Sequence, residues 1–462
     1  MTEKRHIHTE RRDSSMTGEE IKTFIEEKKY NDLRATLAEM NEADVASLLE
    51  DLPKNILLKT FRLLPKDMAA DVFSYLPTDV EQEIITSLTD FEATAIIDNL
   101  MADDAADLME EMPANVVKRL LSHASPDTRR DINHLLKFPE DSAGSIMTVE
   151  FVDLRENQTV TEALDRIRKF GIDRETINSC YVLDVKRRLT GMVALRTLIL
   201  SESDALIRDI MEENVISVDT LMDQEEVARM ISKYDFSSIP VVDSENRLVG
   251  IITVDDIIDI IEEEATEDIQ KMAAILPSDD PYDKMSPLDL WKKRIGWLLL
   301  LMVSATFTGR IITSYESAMG AYLILAAFIP QLMDTGGNCG SQTSTTVIRA
   351  LSLNEIGFND IMKVVWKELR TALICGGTLA AANFIKLLVV DKADPMVAMV
   401  VCLTMICAVI CANLAGCMLP MIAKRLGFDP AVMASPMLTT IIDAVTLSIY
   451  FQVAVHVLNI GA

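Results

Sequence analysis

The stretch WKKRIGWLLLLMVSATFTGR, residues 291–310, marks the point at which the chain changes from an acidic polypeptide to an apolar one. Before Trp291 there are 62 acidic and 32 basic residues, and from Trp291 onward there are nine acidic and 12 basic residues. The first segment therefore carries a formal charge of −30 and the second carries +3. We interpret the first as a water-soluble body and the second as a bilayer domain, a combination that suggests traffic in cations.

Five apolar stretches are predicted as membrane spans, since each approaches or exceeds the ~20 residues that a helix needs to cross ~30 Å of hydrocarbon. Basic residues lie before the first stretch, between the second and third, and between the fourth and fifth. The positive-inside rule then places the acidic half in the cytosol and the C-terminus outside. The polar N-terminus has no apolar core typical of a secretory signal. The predicted spans are about 295–313, 318–348, 371–390, 396–423 and 430–458.

Asp443 lies well inside the last predicted span, in the sequence TTIIDAVT, and that span contains no basic residue to pair with it. A charged side chain near the bilayer centre is costly unless it faces water, a cation or a partner. We interpret Asp443 as a cation site in a wet pathway. A protonated or hydrogen-bonded structural Asp is the alternative.

The second span contains PQLMDTGGNCGSQTS, residues 330–344, a run of residues that weaken helices. We expect a break in the backbone here that lines a water-filled cavity, with Asn338 as an oxygen ligand and Asp334 beside the break. Close helix packing through Gly and Ser is the alternative, and both can hold. The available ligands at this depth are carboxylate, carbonyl and amide oxygens, which suit a hydrated Mg²⁺ ion.

A repeat of twelve residues runs through residues 36–125. Two apolar residues, a polar pair and an apolar residue recur at this step, and Pro closes four of the copies. The pattern predicts short stacked helices that form an all-α superhelical solenoid of undetermined hand. Its acidic residues carry no catalytic signature and could simply be solvated. The copies begin at Thr36, Leu48, Thr60, Val72, Ile84, Ile96, Leu108 and Leu120.

A second duplication covers about residues 143–265. Ile146-Met147 recurs as Ile210-Met211, and DVKRRLTG from Asp184 recurs as DSENRLVG from Asp243. Each copy predicts the order strand, helix, strand, turn, strand, helix. This region resembles a tandem pair of CBS domains, which implies an α/β regulatory module that often binds adenosine nucleotides. The nucleotide motif G-x-x-T-x-x-D is Gly250, Thr253 and Asp256 in the second copy, but Gly191, Ala194 and Thr197 in the first.

The run DDIIDIIEEEATED, residues 255–268, is predicted to be helical and to lead toward the membrane. Several of its carboxylates share one face, because they recur at spacings of three and four residues. Like charges placed this way repel, and divalent cations that bridge them to acids of the solenoid would remove that penalty. A solvated acidic linker is the alternative.

The order of solenoid, CBS pair, acidic helix and five-span domain resembles the MgtE family of bacterial magnesium channels, over nearly the whole chain after about residue 30. The most specific motifs are P-x6-G-N-x-G-x-Q from Pro330 and T-T-x-x-D from Thr439. The resemblance implies a homodimer with its pore at the dimer axis and Asp443 as the principal hydrated-ion site, supported by Asn338 and Asp334. It also implies ATP at the CBS pair, an implication weakened by the degenerate first copy.

Sensor sites are a further implication of the resemblance. In them, Mg²⁺ would bridge the soluble domains and the connecting helix and hold the pore shut when cytosolic Mg²⁺ is plentiful. The implied sensor residues are Asp71, Asp103, Asp107, Asp223, Asp235, Asp256, Asp259, Glu264, Glu267 and Asp268, with Asp429 at the cytosolic end of the last span.

The predicted architecture is multidomain, with an all-α solenoid, an α/β CBS pair and an α-helical membrane domain. Its expected partners are lipid, Mg²⁺ and a second copy of the chain, without nucleic acid. The predicted domains are a polar tail at 1–30, the solenoid at 31–135, CBS domains at 140–203 and 204–265, a connecting helix and linker at 266–290, and the pore domain at 291–462.

The predicted function is Mg²⁺ uptake across the cytoplasmic membrane through a channel that Mg²⁺ closes from the cytosol. A secondary transporter of another divalent cation such as Co²⁺ or Mn²⁺, with CBS-domain regulation, is one alternative. A membrane-tethered CBS sensor without transport is another. We do not expect an enzyme, because the sequence has no recognisable nucleophile–base set, P-loop or metal-ligand cluster.

Overall fold

The computed structural model describes residues 16–278, 282, 284–316, 320, 322–433 and 435–458. Half of the predicted polar tail, residues 1–15, and part of the predicted linker, residues 279–281 and 283, lie outside the described residues. The chain divides into two compact units, Met1–Ile261 and Glu262–Ala462.

Ten short helices open the first unit, and they begin every twelve residues from Gly18 to Pro126. The periodicity therefore extends upstream of the predicted repeat, and Gly18–Glu26 is helical within the segment predicted to be a polar tail. Pro occupies the N-cap position of four of these helices, where its missing N–H prevents the preceding helix from continuing. The helices are α1 Gly18–Glu26, α2 Tyr30–Leu37, α3 Glu42–Glu50, α4 Lys54–Phe61, α5 Lys66–Ser74, α6 Thr78–Ser87, α7 Asp90–Ile97, α8 Ala102–Glu110, α9 Ala114–His123 and α10 Pro126–Leu135.

The helical region has one continuous apolar core. Helices contact the next helix but one, as in α3 with α5, α5 with α7, and α7 with α9. Leu37, Leu49 and Phe73 are fully buried between them. Each helix is too short to be stable alone, so its stability comes from this shared core.

Two three-stranded sheets follow, one in each half of the predicted duplication. In both sheets the first strand is parallel to the second and the second is antiparallel to the third. The predicted order of strands and helices is confirmed in both copies. The first copy contains β1 Val152–Leu154, α11 Val160–Phe170, β2 Ser179–Leu183, β3 Leu189–Ala194 and α12 Leu195–Leu200; after α13 Ile207–Ile210, the second contains β4 Val218–Asp219, α14 Gln224–Tyr234, β5 Ser238–Val242, β6 Leu248–Thr253 and α15 Val254–Met272.

The two copies interlock through the motifs that repeat in the sequence. A Cβ on Gly250 of the second copy would lie 2.6 Å from Met147 Sδ of the first. Conversely, a Cβ on Gly191 would lie 2.7 Å from Met211 Sδ. Each copy therefore supplies a methionine that packs on the glycine of the other.

The second unit is a bundle of long helices. Tyr315 stacks on Phe451 with their ring centroids 4.8 Å apart, and Tyr450 donates a hydrogen bond to the carbonyl oxygen of Leu325 at 3.0 Å. These contacts join the first, second and last helices of the bundle. The helices are α16 Pro287–Ser314, α17 Ile324–Ser352, α18 Ile361–Val389, α19 Pro395–Arg425 and α20 Ser435–Val457.

Four helical segments among the described residues are long and apolar enough to cross a membrane. The remaining long helix, α17, corresponds to the predicted span 318–348 and is not among them, because its polar middle lowers its hydropathy. The five-span count therefore stays a prediction. The four segments are Pro287–Ser314, Phe358–Val389, Pro395–Arg425 and Pro430–Val457.

The predicted backbone break within residues 330–344 is wrong, because α17 continues as one helix through Pro330. The glycines instead allow α19 and α20 to pack closely against α17. A Cβ on Gly416 of α19 would lie 2.5 Å from the carbonyl oxygen of Gly340, and a Cβ on Gly340 would overlap Ile442 of α20. Close packing through small residues, the alternative interpretation, describes this segment, and the helix is continuous although Pro330 has no N–H to donate.

We expect Gly250→Ala to reduce the free energy of unfolding of the first unit by about 1–3 kcal/mol, the usual cost of overpacking a buried site. The added methyl group would meet both Met147 Sδ and the carbonyl oxygen of Thr148, the latter at 2.7 Å. Differential scanning calorimetry of the full chain should show the lower transition midpoint. Val185→Ala, at a side chain that is 93% exposed, is the control. An unchanged midpoint in Gly250→Ala would contradict the interlocked packing.

Candidate functional site

The helix that carries Asp443 packs against the glycine face of α17. A Cβ on Gly336 would lie 3.0 Å from Thr446 Oγ1 and 3.1 Å from Ile442 Cγ2. A Cβ on Gly337 would lie 3.2 Å from Thr439 Cγ2. The T-T-x-x-D motif and the glycine-rich motif are therefore two sides of one helix contact, and Asp443 lies half-buried at its margin.

Asp334 on α17 interacts electrostatically with Asp443 on α20, so the structure brings two of the three predicted pore residues together. Asn338 lies one helical turn after Asp334, and both side chains are exposed on a single copy of the chain. Their oxygens are of the type that hard cations prefer. Among the described residues, no group of three or more Asp, Glu, His or Cys side chains is placed to coordinate one metal ion directly. These residues therefore suit an ion that keeps part of its hydration shell.

An acidic cluster forms within the first unit, where α8 meets the CBS pair. Asp103 is its centre, because its side chain is 8% exposed and its Oδ1 has no hydrogen-bond partner among the described residues. Its carboxylate interacts with those of Asp104, Asp256, Glu175 and Glu150. The full acidic cluster comprises Glu81, Asp103, Asp104, Asp107, Glu150, Glu175, Asp255 and Asp256.

Burial, followed by repulsion from neighbouring carboxylates, raises the pKa values in this cluster. The pKa of Asp103 is well above its usual range. The pKa of Asp104 rises to about 7, that of Glu175 to about 7 and that of Glu81 to about 8. None of these four groups takes part in an ion pair within the described part of the chain. Near neutral pH the cluster must therefore bind protons or attract another positive charge.

The structure brings some predicted sensor residues into this cluster and leaves others outside it. Asp103, Asp107 and Asp256 belong to it, and Asp259 interacts with Asp256. The sequence interpretation missed Glu81, Asp104, Glu150 and Glu175. Asp104 could have been found as the neighbour of Asp103, but the two CBS glutamates lie on loops whose approach to α8 has no signal in the sequence.

Asp223 and Asp235 have other structural roles. The Oδ1 of Asp223 caps α14 by accepting a hydrogen bond from the backbone N–H of Glu225 at 3.0 Å. Asp235 ends the same helix in a left-handed conformation with a φ of 54°. Asp71 is exposed on α5. None of the three is among the carboxylates that contribute most to the raised pKa values of Asp103 and Asp104.

A lysine lies between two predicted sensor carboxylates of the second unit. Lys271 Nζ is 2.6 Å from Glu267 Oε1 and 2.7 Å from Asp429 Oδ2. Burial opposes its charge, but the hydrogen bonds to Asp429 and Glu267 leave the pKa of Lys271 raised. One turn before Lys271 on the same helix, Asp268 accepts a hydrogen bond from Ser352 Oγ at 3.4 Å, and Glu264 lies one turn earlier still, half-exposed. An ammonium group therefore already neutralises part of the predicted sensor charge at Glu267 and Asp429.

The residues of the predicted nucleotide motif in the second copy contact other residues of the chain. Thr253 Oγ1 donates a hydrogen bond to Asp256 Oδ2 at 2.5 Å, and Gly250 faces Met147. In the first copy, by contrast, there is a pocket of about 570 Å³ beside β3 and α12. Its lining combines a cationic, a polar and several apolar side chains: Asn178, Ala194, Leu195, Arg196, Ile199 and Leu200.

Family models match most of the chain. A model described as a divalent cation transporter, MgtE, matches residues 329–453, and the MgtE intracellular N domain matches residues 40–141. The CBS domain matches residues 143–203 and 207–263.

Three known proteins illustrate the similarity. The magnesium transporter MgtE of Thermus thermophilus is 41% identical over 76% of this chain and 78% of its own length. The magnesium transporter MgtE of Bacillus subtilis is 33% identical over 93% of this chain and 95% of its own length. The crystal structure of the cytosolic domain of the Mg²⁺ channel MgtE in complex with ATP is 38% identical, covers 53% of this chain and 99% of that chain, and superposes with a TM-score of 0.51.

The acidic cluster predicts an unusual pH dependence of stability. A carboxyl group whose pKa is higher in the folded than in the unfolded chain binds its proton more tightly when folded. The contribution of these groups to the free energy of unfolding is then complete below the unfolded pKa, near 4. It is lost as the pH rises through the folded pKa values, which are about 7 for Asp104 and Glu175 and about 8 for Glu81.

In the presence of a chelator, we therefore expect the calorimetric transition temperature of the first unit to decrease as the pH is raised from about 5 to about 8. This window is roughly the interval between the unfolded and folded pKa values. The transition that Gly250→Ala shifts identifies this unit. Asp104→Asn combined with Glu175→Gln should flatten the dependence, whereas Asp223→Asn should not. A midpoint that rises with pH in the wild type would show that the cluster is well solvated.

Proposed function

The chain belongs to the MgtE family of magnesium transporters, and on that basis we propose that it carries Mg²⁺ across the cytoplasmic membrane through a pathway lined by Asp443, Asp334 and Asn338. One observation carries the proposal: Asp443, within a membrane-spanning helix, interacts with Asp334 and pairs with no basic side chain among the described residues. Two carboxylates at that depth repel unless a cation lies between or near them. The hydrated Mg²⁺ ion, which sheds water reluctantly, suits such sparse ligands.

The intact transporter is a homodimer of five-span subunits with the pore at the dimer axis. The exposure of Asp334 and Asn338 on one copy supports this arrangement, because a second copy and water can complete the set of oxygen ligands. The N-terminal domain is intracellular and the C-terminus lies outside, as the basic loops predict. Inward flow then gains ~2.3 kcal/mol per charge per 100 mV of membrane potential.

Gating follows from the acidic cluster. When cytosolic Mg²⁺ is scarce, the cluster carboxylates repel and favour looser packing of the superhelical solenoid against the CBS pair. When Mg²⁺ is plentiful, the ion offsets this repulsion and stabilises the compact state by mass action. Helix α15 carries Asp256, Asp259, Glu264, Glu267 and Asp268 in one continuous element, so a change at its start moves the residues near its end.

ATP binding to the CBS pair is part of the proposal. A crystal structure of an MgtE cytosolic domain contains ATP, which supports a nucleotide site in this chain. The pocket beside Arg196 offers a guanidinium for phosphate and apolar side chains for a base. It is a better candidate than Gly250, Thr253 and Asp256, whose atoms already contact one another or Met147.

Asp443→Ala should remove at least about 90% of Mg²⁺ uptake, because a site at membrane depth without its carboxylate no longer offsets the cost of holding a divalent ion. Proteoliposomes that contain a fluorescent Mg²⁺ indicator provide the measurement. Glu355→Ala, an exposed carboxylate paired only loosely with Arg349 at 3.9 Å, is the matched control. Full uptake by Asp443→Ala would remove the pore assignment, and faster uptake of Co²⁺ or Mn²⁺ than of Mg²⁺ by the wild type would favour a different cargo.

Asp103→Asn combined with Asp256→Asn should leave the channel open at high cytosolic Mg²⁺, because the six remaining acids still repel one another while Mg²⁺ loses two of the carboxylates through which it stabilises the compact state. Single-channel recording from inside-out patches across a Mg²⁺ series measures the closing concentration, which we expect to rise by at least about tenfold, or about 1.4 kcal/mol of coupling. Asp223→Asn, which keeps the N-cap, is the control. Normal closure in the double variant would show that these acids are merely solvated.

A further inference from the structure

Glu368 on α18 joins three helices of the membrane unit. Its Oε2 accepts one hydrogen bond from Thr343 Oγ1 on α17 and another from Asn413 Nδ2 on α19, each at 3.3 Å. Thr343 is 7% exposed and Asn413 is 4% exposed. One carboxylate oxygen thus links α17, α18 and α19. The predicted third span, 371–390, began after Glu368, so the sequence interpretation did not single it out.

One helical turn away, the same three helices meet through apolar side chains. Val347 of α17, Val364 of α18 and Cys417 of α19 share one buried cluster, and each lies four residues from its polar counterpart. The interface therefore has an apolar layer beside a polar one. Apolar contacts are non-directional, whereas hydrogen bonds have preferred distances and angles. The polar layer is thus the part that can fix the rotation and register of these helices.

The polar layer adjoins a close backbone crossing between α17 and α19. A Cβ on Gly416 of α19 would lie 3.2 Å from Thr343 Cβ and 2.5 Å from the carbonyl oxygen of Gly340. Gly340 in turn packs against Ile442, the residue before Asp443. A small rotation of α17 at Thr343 would therefore change the contact between Gly340 and Ile442, and with it the position of Asp443.

No cationic side chain in the described ranges forms an ion pair with Glu368, and Asn413 Oδ1 has no hydrogen-bond partner there. The two hydrogen bonds from Thr343 and Asn413 are consequently the interactions that the structure provides for this carboxylate. A salt bridge would have indicated a charge pair, but this arrangement indicates an acceptor that holds two neutral donors.

We propose that Glu368 is a positioning residue for ion transport, whose Oε2 holds α17 and α19 in the register that keeps the glycine face of α17 against the helix of Asp443. This inference rests on the proposed function, in which Asp443 is the ion site. Glu368 acts through Thr343 and Asn413 rather than by touching the ion. The hydrogen-bond acceptor is therefore required, and the negative charge is not.

The test is Mg²⁺ uptake by proteoliposomes of the full chain, measured against Mg²⁺ concentration. Glu368→Ala removes the acceptor, whereas Glu368→Gln keeps an acceptor oxygen at the same distance and removes the charge. We expect Glu368→Ala to raise the half-saturating Mg²⁺ concentration about tenfold, as the loss of two hydrogen bonds of ordinary net strength permits, and Glu368→Gln to change it by less than about twofold. Glu355→Ala should match the wild type.

A wild-type half-saturating concentration in Glu368→Ala would overturn the inference. Equal impairment of Glu368→Gln and Glu368→Ala would also overturn it, because the charge itself would then be acting on the ion. If Glu368→Ala does not reach the membrane, Thr343→Val and Thr343→Ser give a second test: Val keeps the shape without the hydroxyl and should raise the concentration about threefold, whereas Ser should not. Equal behaviour of that pair overturns the inference. Absent uptake by the wild type would instead overturn the proposed function, and the inference with it.

Discussion

The carboxylate of Asp103 is buried beside Asp104 and Asp256, and mutual repulsion of charges withdrawn from water is the constraint on which the rest of the first unit depends. Desolvation and like-charge repulsion act in the same direction, so protons or cations that offset the negative charge favour the compact form. The helical repeat and the CBS pair provide the rigid walls that hold these acids together. Acids on an open surface would be solvated, whereas Asp103 is buried, and the proposed gating depends on the response of this packing to cations.

The membrane unit handles carboxylates differently, because they are few and each has a distinct setting. Asp443 and Asp334 interact with one another at a helix contact that glycines make tight. Glu368 accepts hydrogen bonds from two neutral side chains. Lys271 offsets part of the charge of Glu267 and Asp429 at the end of α15. Each of these acids has a distinct partner, in contrast to the shared repulsion within the acidic cluster.

Much of this organisation was predictable from sequence, for reasons that differ between regions. The duplicated hairpins at Asp184 and Asp243 are local patterns, and the strand order that they predicted is present. The glycines near Asn338 fit both a break and close packing, and only the positions of Ile442 and Gly416 decide between them. Glu150 and Glu175 approach Asp103 through tertiary contacts between distant segments, which no local pattern encodes. Lys271 was missed because a single basic residue in an acidic run has no periodic signal.

The exchange of Met147 and Met211 between the CBS copies has a consequence for how this duplication can evolve. Because each methionine fills the space over the other copy's glycine, neither half can close its own packing without the other. We therefore expect the pair to fold as one cooperative unit rather than as two modules in series. The first copy could lose its nucleotide motif at Ala194 and Thr197 and still remain indispensable, since substitutions at Met211 must be compatible with Gly191 in the other half of the duplication.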